Sequence, residues 1–573
     1  MRRFKSDILI LGSGGAGLFA ALHARAADPA LSIAIAVKGL LGKCGCTRMV
    51  QGGYNVALAA GDSVERHFMD TIEGGKWLPD QDLAWALVNG AIERVHELEN
   101  ELGCFFDRNS DGTVHQKAFA GQTFDRTVHK GDLTGIEIIN RLSEQVWARD
   151  IARLEEHRAL ELILTPDGSA LAAVLLVDMR TGEYVLAEAK AVLLATGGGP
   201  TMYRYHTPSG DKSCDGLAMA LRAGLPLRDM EMVQFHPTGL LAGPHTRMTG
   251  TVLEEGLRGA GGYLLDGRGE RFMHNYDPRA ERATRDIVSR AIDSEMRAGR
   301  TTPHGGVWLS MAHLGADNVR RQFKGMVERC ADCGFDLAGG RVEVVPTAHY
   351  MMGGVEFAAD CTTALLGLFV AGEDSGGVHG ANRLGGNGVA NSTVFGAIAG
   401  DAMAAWVARE GVFRHADTAA IQAALDRAES PFGRGEDADL EAVRERLSAA
   451  MWDDAGIVRD SVGLARAAAT LAALADELAA YSLPAGARER AFNLSWHVWL
   501  NLTSLVEVSR AIGAAATARC ESRGAHFRAD HPDTGDLAAS AFTRVRRQQG
   551  ALAVDTVPVR FTRVKPGESL LHV

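Results

Sequence analysis

The chain opens with an apolar run followed by a glycine-rich turn. Residues 7–11 are apolar after the first position, which predicts a short buried strand. The turn GSGGAG follows at residues 12–17, and residues 18–24 are good helix formers. Gly12 permits a tight turn, Gly14 lets a pyrophosphate approach the backbone, and Gly17 allows the helix to pack closely on the strand. This order of elements predicts a dinucleotide-binding unit.

Hydrophobic periodicity predicts several further elements. We expect a strand at residues 32–37, helices at 63–73, 80–102 and 135–146, and a β-meander at 159–165, 170–178 and 183–187. A dinucleotide-binding fold often ends its second strand with an acid that binds the adenosine ribose, but Lys38 stands there. Other groups must therefore bind the ribose.

Another apolar strand that ends in glycines lies far downstream. Residues 191–195 lead into Thr196, Gly197 and Gly198. A strand ending in ATGG, far beyond a first glycine-rich turn, is typical of folds that contact one FAD from two segments, more than of simple NAD dehydrogenases. Alanine, leucine and charged residues dominate from about residue 411 to 515 and predict helices. The stretch around residues 554–564 predicts a strand pair and a tail.

Composition restricts the class of protein. A chain of 573 residues is too long for one core, so roughly two to four domains are expected. The net charge of −11 argues against nucleic acid as a partner. No apolar run reaches the roughly 18–20 residues that span a bilayer. The first strand begins by Ser6, which leaves no room for a signal peptide. We expect a cytoplasmic protein, or one peripheral on the inner face of the membrane.

The eight cysteines form no metal-binding pattern. Cys330 and Cys333 make one CxxC with no second pair at ligand spacing, and Gly334 replaces the histidine of a haem-attachment motif. We therefore expect free thiols, no metal site, and electron exchange with a separate partner.

Histidines, arginines and glutamates are concentrated in five glycine-rich stretches. Any one of them has an ordinary explanation, such as a satisfied polar histidine or a helix-cap ion pair. Two histidines and three arginines together indicate a carboxylate site, because arginine binds a carboxylate bidentately and histidine adds a directional donor. These five residues are His236, Arg258, Arg285, His349 and Arg383.

With these motifs the chain resembles the flavoprotein subunit of succinate dehydrogenase and fumarate reductase, a family related to L-aspartate oxidase. The resemblance runs from about residue 5 to 530 and rests on GSGGAG, QGG, FAGQ at residues 119–122, ATGGG, QFHPTG, EGLRG, HYMMGG, HGANRLGGN and ESRGAH. It implies an α/β fold with a Rossmann-like FAD-binding domain (1–232 and 346–410). An α+β capping domain (233–345), a helical domain (411–535) and a C-terminal tail (536–573) would complete the chain.

The resemblance also implies roles for matching residues. His236, His349 and Arg383 would hold the carboxylates of a C4 diacid, in a substrate site that includes Glu254, Phe119 and Gln122. Arg285 would transfer the proton, Glu255 and Arg258 would relay it, and flavin N5 would carry the hydride. The FAD-binding residues would be Gly12, Gly14, Gly15, Ala16, Gly17, Lys38, Cys46, Thr47, Gln51, Gly52, Gly53, Ala195, Thr196, Gly197, Gly198, Asp215, Glu373, Arg383 and Asn387.

Three positions depart from the family pattern. Cys46 replaces the histidine that links FAD covalently in the respiratory enzymes. We expect non-covalent FAD, which favours reduction of an alkene, with a cysteinyl thioether as the alternative. Glu254 replaces a Thr or Ser hydroxyl that donates to a substrate carboxylate, which favours a modified acid carrying a donor group over succinate itself. Ala260 stands where relatives often carry Glu, and we have no account of its effect.

These observations favour an FAD-dependent oxidoreductase that acts on the CH–CH or C=C bond of a small carboxylate. An amino-dicarboxylate oxidase and a non-catalytic electron-transfer flavoprotein are the alternatives. An iron–sulfur subunit, a quinone-linked complex, O2 and a soluble carrier all stay open as the electron partner. The sequence does not determine the acid, the physiological direction or the oligomeric state.

Overall fold

The computed structural model describes residues 1–243, 246–433 and 439–571. The strands are β1 Arg2–Leu11, β2 Ile33–Val37, β3 Tyr54–Asn55, β4 Gln116–Lys117, β5 Thr127–Val128, β6 Ala152–Glu155, β7 His157–Leu164, β8 Leu171–Asp178, β9 Tyr184–Leu194, β10 Leu227–Arg228, β11 Val233–Leu240, β12 Tyr263–Leu265, β13 Val307–Ser310, β14 Arg341–Met351, β15 Gly354–Val355, β16 Leu368–Val370, β17 Ala541–Gln548 and β18 Ala551–Pro558.

The helices are interspersed among the strands up to α10, and α11 to α14 then follow one another before the last two strands. They are α1 Gly15–Ala27, α2 Val64–Gly74, α3 Gln81–Asn100, α4 Thr134–Trp147, α5 Asp215–Arg222, α6 Gly256–Gly259, α7 Arg285–Arg297, α8 Ala316–Gln322, α9 Lys324–Asp332, α10 Asn387–Glu410, α11 Thr418–Glu429, α12 Leu440–Asp453, α13 Ser461–Ala480 and α14 Leu494–Ala518. None of these helices, within the described ranges, is both long and apolar enough to cross a membrane.

A seven-stranded sheet in the order β6-β2-β1-β9-β8-β7 carries the glycine-rich turn. Strand β16 pairs with the C-terminal end of β9, on the edge of β9 opposite β1. Strands β6, β2, β1, β9 and β16 are parallel, whereas β7 and β8 form an antiparallel extension. The carboxyl ends of parallel strands meet at one edge of a sheet, which is where ligands bind in such folds. The turn after β1 lies at that edge.

Strand β9 corrects one prediction. The sequence pattern predicted separate strands at residues 183–187 and 191–195, but the structure joins them into one strand of 11 residues. Glu188 in its middle lies 3.5 Å from both Arg3 and Lys5 on β1. Lys190 lies 2.7 Å from Asp7. These cross-strand ion pairs let charged residues continue a strand whose apolar pattern they interrupt.

Helices α1 and α10 pack against each other at very short distance. A Cβ built on Gly396 of α10 would lie 2.7 Å from the Ala16 carbonyl oxygen, and one on Gly400 would lie 2.5 Å from the Ala20 oxygen. Two glycines one helical turn apart therefore allow the backbones to touch. This contact fixes the start of α10 beside the start of α1, at the edge of the sheet.

A second sheet, in the order β11-β14-β13-β12, has its own apolar core. Leu240, Leu264, Leu309 and Val344 are fully buried in it. Strand β11 pairs with β14 so that His236 lies opposite Thr347. The sheet and helices α6 to α9 fall between residues 233 and 351, so the end of β14 extends beyond the range of 233–345 predicted for the cap. The domain boundaries themselves stay a prediction.

The C-terminal strands are integrated into the fold. The predicted strand pair is present, but it spans residues 541–558 and not the stretch around 554–564. Strands β17 and β18 form this hairpin, and β17 also pairs with β10, with Leu227 opposite Val545. Arg519, just after α14, binds Glu231 at 2.5 Å and Asp229 at 3.1 Å, and all three side chains are buried. Residues 541–558 are therefore part of a sheet and do not form a free tail.

Candidate active site

The turn after β1 leaves no room for side chains at two of its glycines. Gly12 has a φ of 113°, and a Cβ there would lie 2.1 Å from the Ala195 oxygen. A Cβ on Gly17 would lie 2.1 Å from the Gly12 oxygen. Gly14 differs, because its nearest protein atom would be Thr47 Oγ1 at 3.6 Å. The chain itself therefore tolerates a methyl group at Gly14, and any need for glycine there comes from a ligand.

Residues 46–53 form a second wall of the same cavity. Thr47 Oγ1 accepts a hydrogen bond from the Gly15 N–H at 3.1 Å, which fixes this loop on the start of α1. Cys46, Thr47, Gln51, Gly52 and Gly53 all line the cavity. A Cβ on Gly52 would lie 2.4 Å from the ring of Phe119, so Gly52 makes room for that ring.

The segment after β9 contacts two acids, of which Asp374 is buried and Glu373 is partly buried. Asp374 accepts hydrogen bonds from the Thr196 N–H at 2.5 Å and the Gly197 N–H at 3.1 Å. Glu373 accepts from the Met351 N–H at 3.0 Å, and burial raises the pKa of Glu373 to about 7. Ala195, Thr196 and Gly197 line the cavity, whereas Gly198 lies behind it against Met351 and Glu373.

Lys38 and Asp215 form an ion pair that lines the cavity. Lys38 Nζ lies 2.9 Å from Asp215 and 3.0 Å from the Ser213 hydroxyl. Arg158 donates to the same aspartate at 2.8 Å. Burial would raise the pKa of Asp215, but Arg158 and Lys38 hold it well below its ordinary value. The second strand is thus followed by Lys38 and not by the acid common in such folds, and Asp215, from another segment, is the counterion of that lysine.

Three charged side chains form a connected chain on the cap. Arg285, the first residue of α7, donates to Glu255 from Nε at 3.1 Å and from Nη2 at 2.6 Å. Glu255 also accepts from Arg258 at 3.2 Å. Burial would raise the pKa of Glu255, but the guanidinium groups of Arg285 and Arg258 hold it below its ordinary value. Glu255 is therefore an anion between two cations.

The two predicted histidines lie side by side on paired strands. The rings of His236 and His349 are 5.4 Å apart. Burial and the charges of nearby arginines hold the pKa of each well below its ordinary value, so both are neutral near pH 7. His236 Nδ1 accepts from the Thr238 N–H at 3.3 Å, which places the proton of the neutral ring on Nε2. His236 therefore offers a neutral donor.

Arg383 is a buried cation without a carboxylate of its own. Its guanidinium lies over the Tyr350 ring at 4.3 Å. Its Nε has no hydrogen-bond partner among the residues that the structure describes, and none of the described carboxylates lies within ion-pair distance. Burial and the charge of Arg285 lower the pKa of Arg383 to about 10, so it stays charged near pH 7. An unpaired buried arginine is a receptor for an anionic ligand.

Glu254 lines the cavity and forms an ion pair with a lysine. It is 4% exposed, and its Oε1 lies 3.1 Å from Lys117 Nζ. Burial raises the pKa of Glu254, although Lys117 acts in the opposite direction. The carboxylate that replaces the expected hydroxyl is therefore paired, and its partner comes from β4, outside the cap.

One continuous cavity joins the glycine-rich turn to these charged residues. It is lined by Gly12, Gly14, Gly15, Ala16, Lys38, Cys46 and Asp215, and also by Phe119, His236, Glu254, Glu255, Arg285, His349 and Arg383. Five residues of the predicted set do not line it and instead support its walls: Gly17, Gln122, Gly198, Arg258 and Asn387. Gln122 donates to the Gly385 carbonyl, and Asn387 accepts from Asn55 and contacts His67.

Sequence reasoning did not single out four residues that shape this site. Gln234 accepts from Arg285 Nη1 at 3.0 Å, and Thr207 contacts His349 Nδ1 at 2.9 Å. Tyr350 lies under Arg383, and Lys117 pairs with Glu254. Gln234 and Tyr350 stand inside the QFHPTG and HYMMGG motifs, next to the predicted histidines, and could have been found there. Thr207 and Lys117 gave no local signal.

Comparison with known proteins assigns the family. The model of an FAD-binding domain matches residues 7–389, and that of the fumarate reductase flavoprotein C-terminal region matches 444–570. A chain of the fumarate reductase (CoM/CoB) of Methanothermobacter marburgensis is 41% identical over 534 residues, covering 93% of this chain and 95% of that protein. The chain belongs to the fumarate reductase flavoprotein family.

Solved structures of this family share the fold. The FrdA chain of E. coli quinol fumarate reductase matches with a TM-score of 0.92 at 33% identity, and the match covers 99% of each chain. Sdh1 of Mycobacterium smegmatis matches at 0.86 and 36% identity, covering 99% of this chain and 96% of that one. The predicted α/β fold with its FAD-binding and C-terminal regions is confirmed. The protein is an FAD-dependent oxidoreductase of the fumarate reductase/succinate dehydrogenase type.

Gly14 is the glycine of the turn where the protein itself has space for a methyl group, so a bound FAD would account for the glycine there. We predict that Gly14→Ala folds normally but binds FAD more weakly, since its methyl group would occupy space needed by the pyrophosphate. Overpacking costs about 1–3 kcal/mol, or roughly five- to 150-fold in affinity. Titration of the apoprotein with FAD measures the loss. Gly513→Ala, a position with open space around it, is the control. Equal FAD affinity in Gly14→Ala and the wild type would contradict this placement.

Proposed function

We propose that this chain, with FAD held non-covalently, reduces the C=C bond of a C4 dicarboxylate such as fumarate. The observation that carries the proposal is Arg383, a buried arginine without a carboxylate partner. It lines the same cavity as the glycine-rich turn after β1 and the two neutral histidines. A guanidinium that lacks a protein carboxylate binds a substrate carboxylate bidentately. His236 adds an Nε2–H donor to the same region. The relatives named as fumarate reductases support this choice of acid.

Arg285 is the residue we assign to the substrate proton. It lines the cavity, and two of its nitrogens bind Glu255, whereas Nη1 is held by Gln234. These three bonds fix the plane of the guanidinium, so the group is oriented before substrate arrives. The FAD, when bound, supplies the two-electron chemistry at the alkene. The protein contributes the proton and the orientation.

Glu255 and Arg258 would return the proton to Arg285. A guanidinium is a poor acid in water, so the site must lower the cost of its transient deprotonation. Glu255 lies between the two arginines, and burial lowers the pKa of Arg258. A proton can therefore pass along hydrogen bonds that already exist, and no long-lived neutral arginine is required.

Glu254 does not argue against a plain diacid. The sequence alone favoured a substrate with a donor group, because a lone carboxylate at this position would repel a dianion. Since Lys117 lies 3.1 Å from Glu254, the pair presents little net charge to the substrate. The reason for expecting a modified acid is thereby removed, and no other contact of the described residues favours an amino acid substrate.

The names of the relatives support an assignment of the electron partner and of the location of the protein. The relative from Wolinella succinogenes, 36% identical over 542 residues, is named the flavoprotein subunit of an 8-methylmenaquinol:fumarate reductase. We propose that this chain likewise belongs to a complex and receives electrons from an iron–sulfur partner. It would act in the cytoplasm, or on the inner face of the membrane if that partner is membrane-bound.

We predict that acid or heat releases all FAD into the supernatant. Covalent attachment through Cys46 would need its thiolate, but burial and the charge of Glu373 raise the pKa of that thiol to about 12. Precipitated wild-type protein should therefore show no flavin fluorescence on a denaturing gel, and Cys46→Ser should bind FAD as the wild type does. A fluorescent band that disappears in Cys46→Ser would establish a cysteinyl link and overturn this part of the proposal.

We predict that Arg285→Lys and Arg285→Gln retain FAD but lose fumarate reduction. Acid–base catalysis by one positioned group contributes about 10²–10⁴-fold, and the loss should lie in this range or above. Turnover with reduced viologen as electron donor measures it. Arg282→Gln is the matched control, because Arg282 is exposed and lies outside the cavity. If Arg285→Gln kept more than about a tenth of wild-type activity, another group must supply the proton.

A further inference from the structure

Glu254 and Lys117 bridge two parts of the chain at the wall of the substrate cavity. Glu254 precedes α6 in the cap, whereas Lys117 ends β4 in the small sheet β3-β5-β4. Lys117 Nζ donates to Glu254 Oε1 at 3.1 Å and to the Gly131 carbonyl at 3.0 Å. Glu254 lines the cavity but Lys117 does not. The lysine can therefore influence a ligand only through the carboxylate it holds.

Among the three arginines, Lys117 and the two glutamates paired with them, the net charge matches a dianion only when Lys117 is counted. Arg258, Arg285, Arg383 and Lys117 are four cations, and Glu254 and Glu255 are two anions, so two positive charges are left over. His236 and His349 add none, because their pKa values lie well below the ordinary value. Without Lys117, a single positive charge would face two substrate carboxylates, and Glu254 would be an uncompensated anion beside them.

Few other groups can replace Lys117. The charged side chains with the largest effects on the pKa of Glu254 are Lys117, Asp132 and Arg329. Asp132 is an anion and makes the negative charge on Glu254 less favourable. Arg329 is directed to the Val252 carbonyl at 3.3 Å. Lys117 is the described cation that makes direct contact, so its loss should leave Glu254 either charged and repulsive or protonated.

We propose that Lys117 sets the specificity of the site for dicarboxylates by neutralising Glu254. The inference rests on the proposed function, since it assumes that a C4 dianion binds beside Arg383. It makes Lys117 a positioning residue, which acts on the substrate through Glu254. The Lys117–Glu254 pair would thus take the place of the hydroxyl that the family resemblance implies at residue 254, and Lys117 comes from outside the range predicted for the cap.

The test is the affinity of the oxidised, FAD-loaded protein for fumarate, followed by the change in flavin absorbance. We expect Lys117→Met to weaken binding about tenfold to a hundredfold near pH 8, because a like charge is then left beside the substrate. Affinity should recover as the pH is lowered, because the unpaired Glu254 is then protonated, while wild-type affinity changes little. Lys117→Arg should retain wild-type affinity.

The double variant Lys117→Met/Glu254→Gln separates this role from a structural one. It should bind fumarate within about threefold of the wild type, because removing the carboxylate removes the need for the lysine. Lys130→Met is the control: Lys130 follows closely in the chain but pairs with Asp107 and does not line the cavity. Unchanged affinity in Lys117→Met would overturn the inference, as would a double variant as weak as the single one. A wild-type protein that does not bind fumarate would instead refute the proposed function.

Discussion

The site depends on one constraint: several arginines are buried in a single cavity, and each of their charges needs a counterion. A buried charge without a partner costs several kcal/mol (roughly 3–5). Glu255 supplies the counterion for Arg285 and Arg258, and Asp215 does so for Lys38 and Arg158. Arg383 is left without one. Because Glu255 is shared by two arginines and Arg383 has no carboxylate of its own, this part of the cavity keeps a net positive charge that the carboxylates of a substrate would balance.

The fold brings the required backbone positions together. Helices α1, α7 and α10 all start at the cavity, through Gly15, Arg285 and the residues after Gly386. The close contact of α10 with α1 at Gly396 and Gly400 fixes two of these starts against each other. Helix N-termini carry partial positive charge, which favours the phosphates of a dinucleotide and the carboxylates of a substrate. The scaffold and the side chains thus favour anions at the same place.

Much of the site could be read from local sequence, because its residues stand in short motifs. The strand, turn and helix at residues 7–24 needed only the spacing of three glycines, and the histidines and arginines stood in recognisable runs. What could not be read is what the fold pairs over long distances. Lys117 and Glu254 are 137 residues apart, and no motif near either residue predicts that they pair. The lack of a partner at Arg383 is equally invisible until every neighbouring carboxylate has been placed.

The prediction of secondary structure was wrong where charged residues interrupted an apolar pattern. Strand β9 was divided in two at Glu188 and Lys190, whose partners on β1 compensate them in the sheet. The C-terminal hairpin was recognised, but its pairing with the two-residue strand β10 was not, because so short a strand has no periodicity.

The most direct test of the account is a crystal structure of the FAD-loaded protein with fumarate bound. We expect one substrate carboxylate in bidentate contact with Arg383 and within hydrogen-bond distance of His236. An alkene carbon should lie between the flavin and Arg285. Fumarate bound away from Arg383, or with the alkene out of reach of Arg285, would contradict the account.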